Sequence, residues 1–91
     1  VLKLIWLEPA VLQLEAALEY IAERNGTAAD RLAAEIEACA KRLARHPNMY
    51  RPGRVPGTRE AVVHPNYILI YRVTAEAVEI ISLVHARQQY P

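Results

Sequence analysis

An α+β fold of order β-α-α-β-β-β is predicted by this 91-residue sequence on three observations. A short apolar opening run is broken by Glu8-Pro9; two stretches of three- and four-residue apolar spacing follow, divided at Asn25-Gly26; and three apolar segments joined by short turns fill the last third. Helical periodicity first and strand periodicity afterwards segregate the two kinds of element into layers, here a helical hairpin packed on a small antiparallel sheet. Residues 1–91 form one domain, in the size range where a single core is adequate and stability is marginal.

The first strand is Val1 to Trp6, apolar apart from Lys3. Pro9 suits the first turn of a helix, where its missing amide donor would be unpaired in any case. Val11, Leu14, Leu18 and Ile21 then form an apolar stripe, with Gln13, Glu15, Glu19 and Glu23 on other faces. Asn25-Gly26 ends this helix, because both residues tolerate a left-handed stop. Thr27 is the expected cap of the second helix, with Asp30 adding negative charge near its positive end. Ala28, Leu32, Ile36, Cys39 and Leu43 make its stripe, and His46-Pro47 stops it. Lys41, Arg42 and Arg45 lie in its last turn, where they complement the helix dipole.

Three prolines and two glycines between Pro47 and Gly57 predict a loop. Strands are expected at Thr58–Val63, Tyr67–Val73 and Val78–Val84, turned by His64-Pro65-Asn66 and by Thr74-Ala75-Glu76-Ala77, an antiparallel meander with the first strand at one edge. Alternation places Tyr67, Leu69, Tyr71 and Val73 on one face and Ile68, Ile70 and Arg72 on the other.

Composition narrows the function. Apolar residues make up 53% and charged residues 23%, ordinary globular usage. No apolar run approaches the roughly 18 residues a membrane span needs, and the opening run is too short for a signal core, so a cytoplasmic protein with no membrane role is expected. Cys39 is the single cysteine, and His46, His64 and His85 lie in three separate segments, so neither a disulfide nor a metal site is expected. Net charge is +1, yet residues 1–40 carry three basic against seven acidic side chains and residues 41–91 eight against three. Such asymmetry points the second half toward an acidic partner, protein or nucleic acid. Seven of those eight cations are arginine, which gives bidentate contacts to phosphate or carboxylate. Ser82 has no glycine-flanked elbow and is read as a sheet residue, Cys39 as a buried one, Trp6 as core or sheet edge, and His64 as a turn residue.

The ordered set of Trp6, Tyr20-Ile21-Ala22, Asn25, Pro56-Gly57-Thr58-Arg59-Glu60 and Val84-His85-Ala86-Arg87-Gln88-Gln89-Tyr90-Pro91 resembles the RelE/ParE superfamily of bacterial toxins. The His-x-Arg-Gln stretch and aromatic-Pro ending look closer to its ParE branch. That resemblance implies the toxin of a type II toxin–antitoxin module, acting without catalysis by inhibiting DNA gyrase. It also implies growth arrest, plasmid stabilisation, no cofactor, and neutralisation by an acidic, partly disordered cognate antitoxin. The alternative implied by the RelE branch is an mRNA endoribonuclease acting on the ribosome with Arg59, Arg72, Arg87 and Tyr90. At the position where that branch carries a cation after the tyrosine that opens the middle strand, this chain has Ile68, and Ala61 replaces a second cation. The functional surface expected under either reading holds Arg54, Arg59, Arg72, His85, Arg87, Gln88 and Tyr90, with His85 ordering the tail.

Overall fold

A computed structural model describes all 91 residues. Strand β1 (Lys3–Trp6) leads into helices α1 (Glu8–Ala22) and α2 (Gly26–Arg45), then strands β2 (Arg51–Pro52), β3 (Arg59–His64), β4 (Tyr67–Val73) and β5 (Ala77–His85). The sheet order is β1-β5-β4-β3-β2, with both helices on one face. The predicted order holds, with a two-residue edge strand added inside the proline-rich loop. The sheet is mixed: β1 runs parallel to β5, from Lys3 opposite Ala77 to Trp6 opposite Ile80, whereas β2 to β5 pair antiparallel. Parallel pairing follows from the helical hairpin, which supplies the long crossover such a pair requires.

Helix α2 is the central element of the core. Leu32, Ile36, Cys39 and Leu43 recur on one face and are buried, joined by Ala29, Ala40 and Ala44. They meet Ala61, Leu69, Tyr71, Val78, Ile80 and Leu83 of the sheet. Helix α1 buries only Ala10 completely; Leu14, Ala17, Leu18 and Ile21 lie half-buried at the rim. The cap between the helices is Asn25 rather than the expected Thr27: its Oδ1 accepts the Ala28 amide at 3.1 Å. Asparagine is among the strongest N-caps, so the helix begins two residues earlier, with Gly26.

Strand β5 departs from simple alternation. Ile70 pairs with Ser82 but Tyr71 pairs with Ile80, so Ile81 is a bulge. The extra residue turns both Ile80 and Leu83 toward the helices and sends Val84 to the opposite face. Beyond the end of β1 the outer edge of β5 is closed by α1, where Gln13 Oε1 accepts the Leu83 amide at 2.8 Å and the Ser82 hydroxyl at 2.9 Å.

The connection between α2 and β3 is tied down at several points. The Tyr71 hydroxyl, fully buried, donates to the Pro47 carbonyl at 2.8 Å. Arg59 Nη1 donates to the Tyr50 carbonyl at 2.7 Å, and Arg42 Nε donates to the Tyr50 hydroxyl at 3.2 Å. Val55 to Thr58 form a type II turn with Pro56 and Gly57 at its centre, closed by Thr58 N to Val55 O at 3.1 Å. Gly57 has φ +85°, and a Cβ on Gly53 would run into Thr58.

Gly57→Ala forces a side chain into the left-handed region and lowers stability by about 1–2 kcal/mol. Gly26→Ala, in open space on the first turn of a helix, raises it by roughly 0.4–1 kcal/mol. Urea denaturation of the two variants beside the wild type checks both signs.

Burial also pushes the Tyr71 hydroxyl from its ordinary 10 up to about 12, against the opposing pull of the Arg59 guanidinium. The unfolded phenol ionises first, so stability is whole below pH 10 and is lost as pH rises through the interval to about 12, by roughly 2–3 kcal/mol. Tyr71→Phe removes this alkaline loss, together with a hydrogen bond worth about 1 kcal/mol at neutral pH. Denaturation midpoints of wild type and variant between pH 9 and pH 12 measure the difference.

Candidate functional site

The sheet face turned away from the helices carries the second apolar cluster. Ile68 and Ile70 of β4 and Val84 of β5 are buried there, and Tyr90 packs over them. Because Glu60 lies opposite Ile70 and Val62 opposite Ile68, these two residues of β3 share the same face. The half-exposed Val62 extends the apolar strip, whereas Glu60 is 3% exposed at its border.

A carboxylate so little exposed needs paired charges and hydrogen bonds, and Glu60 has both. Its Oε1 accepts Arg51 Nη2 at 3.0 Å, and its Oε2 accepts the Arg54 backbone amide at 3.1 Å with Arg54 Nε at 3.7 Å. Arg54 then spans to the tail. Its Nη1 donates to the Tyr90 carbonyl at 3.1 Å, and its guanidinium carbon lies 5.7 Å from the Tyr90 ring centroid. Neither Glu60 nor Arg51 was singled out from sequence. A signal existed: Glu60 is the one carboxylate between Glu37 and Glu76, a stretch holding seven basic side chains.

His85 orders the start of the tail, as expected. Its Nδ1 accepts the Arg87 amide at 3.1 Å, its own amide donates to Gln88 Oε1 at 3.3 Å, and its ring meets Tyr67 edge-on at 5.2 Å. Ala86 N donates to Asn66 O at 2.8 Å, which docks the tail on the β3–β4 turn. His64, read from sequence as a turn residue, is instead the last residue of β3 and borders that turn, its Nδ1 accepting the Asn66 amide.

Of the seven residues predicted for the functional surface, Arg54, His85, Gln88 and Tyr90 belong to this tail assembly. Arg87 lies in the same segment, exposed and without an ion pair. Arg59 and Arg72 are placed differently. Arg59 stands opposite Tyr71, on the helix side of the sheet, where it lines a cleft of about 450 Å³ with Asn48, Thr58 and Val73. Arg72 shares a face with Ile70 but its Nε is bonded to the carboxylate of its cross-strand neighbour Glu79. The three arginines of the nuclease alternative, Arg59, Arg72 and Arg87, are therefore not brought to one point in this structure.

Other chemistry is similarly constrained. Burial pushes the Cys39 thiol up, only partly offset by its contact with the Tyr50 hydroxyl, so it is a poor nucleophile. The Ser82 hydroxyl is engaged by Gln13 rather than by a base. No three His, Cys, Asp or Glu side chains come together as a metal-binding group. No helix is long and apolar enough to cross a membrane. A second surface feature is an apolar groove of about 440 Å³ between β1, α1 and α2, floored by Leu4, Trp6, Leu14, Leu18 and Ile36 and rimmed by Glu37 and Lys41.

Residues 4–90 match the family described as the ParE toxin of the type II toxin–antitoxin system parDE. The chain belongs to the ParE toxin family. It is 38% identical over 87 residues to the Sinorhizobium fredii protein Y4kP, provisionally named a toxin, covering 94% of this chain and 90% of that one. It is 32% identical over 84 residues to toxin RelE2 of Caulobacter vibrioides, covering 92% and 94%. The structure of a chromosomal ParDE toxin–antitoxin system from P. aeruginosa superposes with a TM-score of 0.82 at 23% identity, over 92% of this chain and 95% of that chain. The protein is thus a type II toxin of the RelE/ParE superfamily, with the helical hairpin and five-stranded sheet of the ParE fold.

Tyr90→Ala uncovers Ile68, Ile70 and Val84, which lowers stability by roughly 1–2 kcal/mol and raises binding of an apolar fluorescent dye. Arg72→Ala breaks an exposed ion pair on the same sheet face, costs at most about 1 kcal/mol and leaves dye binding unchanged. Denaturation and dye titration on both variants separate the two contributions.

Proposed function

We propose that this protein is a ParE-like toxin that inhibits DNA gyrase by binding and is neutralised by a cognate antitoxin. The observation that carries this reading is the nature of the face beneath the tail. Where a phosphate-directed cation would be required there is Ile68, 6% exposed and packed with Ile70, Val84 and Tyr90. An apolar side chain offers no charge-assisted hydrogen bond to a phosphate, and the loss of such a donor typically lowers rate by about 10²–10³. The engagement of Arg72 by Glu79 and the helix-side position of Arg59 support the same view. Inhibition by contact needs no acid, base or nucleophile. It needs a shaped surface, and the tail face supplies an apolar strip bordered by arginine.

The antitoxin in this proposal is an acidic, partly disordered chain that folds on binding. Its apolar side chains would occupy the groove between β1 and the helices, and its carboxylates would meet the arginines of residues 41–91. Action on gyrase implies a cytoplasmic site of action, growth arrest on unbalanced expression and, where the module sits on a plasmid, plasmid stabilisation.

A second reading, ribosome-dependent cleavage of mRNA, draws support from the unpaired Arg87 beside Tyr90 and from the 32% identical relative that bears a RelE name. Purified protein added to a supercoiling reaction decides between them. Gyrase inhibition with mRNA left intact on stalled ribosomes is the expected outcome. Unaffected gyrase together with mRNA cleavage that is lost in Arg87→Ala or Tyr90→Phe transfers the function to the nuclease reading.

A further inference from the structure

We propose that Glu60 is a positioning residue for the toxic surface: acting only through Arg54, it holds the carboxy-terminal segment over the apolar strip. The inference rests on the gyrase-directed reading for its functional arm and on geometry alone for its structural arm.

The chain of contacts is continuous. Glu60 Oε2 takes both the backbone amide and the Nε side of Arg54, so it fixes where the residue starts and which way its guanidinium points. The far nitrogen, Nη1, is left to meet the Tyr90 carbonyl, and the guanidinium sits near the Tyr90 ring. Tyr90 in turn covers Ile68, Ile70 and Val84. The Glu60 carboxylate is nearly inaccessible, whereas the Arg54 side chain is about half exposed. The carboxylate is therefore the stationary member, and the arginine is a strut that would otherwise be free to swing.

Arg51 is an internal control. It forms the shorter ion pair with the same carboxylate, at 3.0 Å, but is not bonded to the tail. If Glu60 acted simply as a buried charge that stabilises the fold, losing either arginine would have similar consequences. In a directed strut, only the Arg54 arm matters to Tyr90.

The test is backbone amide relaxation of Gln88, Gln89 and Tyr90 in the full chain, on Glu60→Gln, Arg54→Gln, Arg51→Gln and the Glu60→Gln/Arg54→Gln double variant. In the wild type these amides are expected to be ordered, with order parameters of about 0.85, and to fall below about 0.6 in Glu60→Gln and Arg54→Gln. Arg51→Gln keeps wild-type values, and the double variant is no looser than either single one, because both act on one strut. The concentration of protein that half-inhibits supercoiling rises about ten-fold in Glu60→Gln and Arg54→Gln and stays within two-fold in Arg51→Gln. A tail that stays ordered in Glu60→Gln or in Arg54→Gln, or that loosens equally in Arg51→Gln, overturns the proposal; Glu60→Asp, which keeps the charge but draws it back from Arg54, serves in place of Glu60→Gln should that variant not fold. A wild-type chain without effect on gyrase would remove the proposed function and leave the relaxation data to decide the role of Glu60.

Discussion

The buried carboxylate of Glu60 is the constraint around which the carboxy-terminal half of the molecule is arranged. Taking a charge out of water is costly unless opposite charge and hydrogen-bond donors meet it, and the chain meets this demand with Arg51, Arg54 and an Arg54 backbone amide. Each of those partners comes from the proline-rich connection. The need to satisfy one side chain on β3 therefore dictates the path of the preceding loop, keeps two residues of it in the sheet as β2, and aims a guanidinium at the tail. On the opposite face the Tyr71 hydroxyl plays a smaller part of the same kind, drawing Pro47 onto the end of the core. The loop is thus held from both sides of the sheet by polar atoms that would be unpaired without it.

The two faces of the sheet are put to different uses. The helix face is filled by aliphatic side chains and by α2, and it provides stability. The other face is covered only by the last few residues, so its apolar strip is shielded by a segment with one aromatic anchor and one arginine strut. In a member of the ParE toxin family, an apolar strip under a light cover suits a surface meant for another macromolecule. The remaining cations are spread over both faces and at the ends of the sheet.

Much of the fold was legible in the sequence because local physics and tertiary packing agree there. The α2 stripe, the stop at His46-Pro47 and the alternation in β4 each follow from periodicity or backbone chemistry and appear where expected. Besides the short strand β2, three features were not legible. The parallel β1–β5 pair depends on chain ends far apart in sequence, the Ile81 bulge has no glycine or proline to mark it, and Asn25 outcompeted Thr27 for the same cap. Of the predicted surface, the tail residues and Arg54 come together because adjacent sequence and one long side chain bring them there. Arg59 and Arg72 separate from them for two reasons that sequence spacing alone does not resolve. The pairing of β3 with β4 sets the face of Arg59, and a cross-strand carboxylate captures Arg72.

The union of β1 with β5 bears on when this protein can exist during its own synthesis. Lys3 to Trp6 find their partners only at Ala77 to Ile80, and Gln13 finds its own only at Ser82 and Leu83. Everything between them can form turns and helices locally, but the sheet cannot close until β5 is available, and contacts of such long separation are slow to form. A nascent or prematurely terminated chain consequently lacks the edge of the sheet, the seat of α1 and the tail face together. The same topology that joins the two ends of the fold delays its assembly until translation has passed β5.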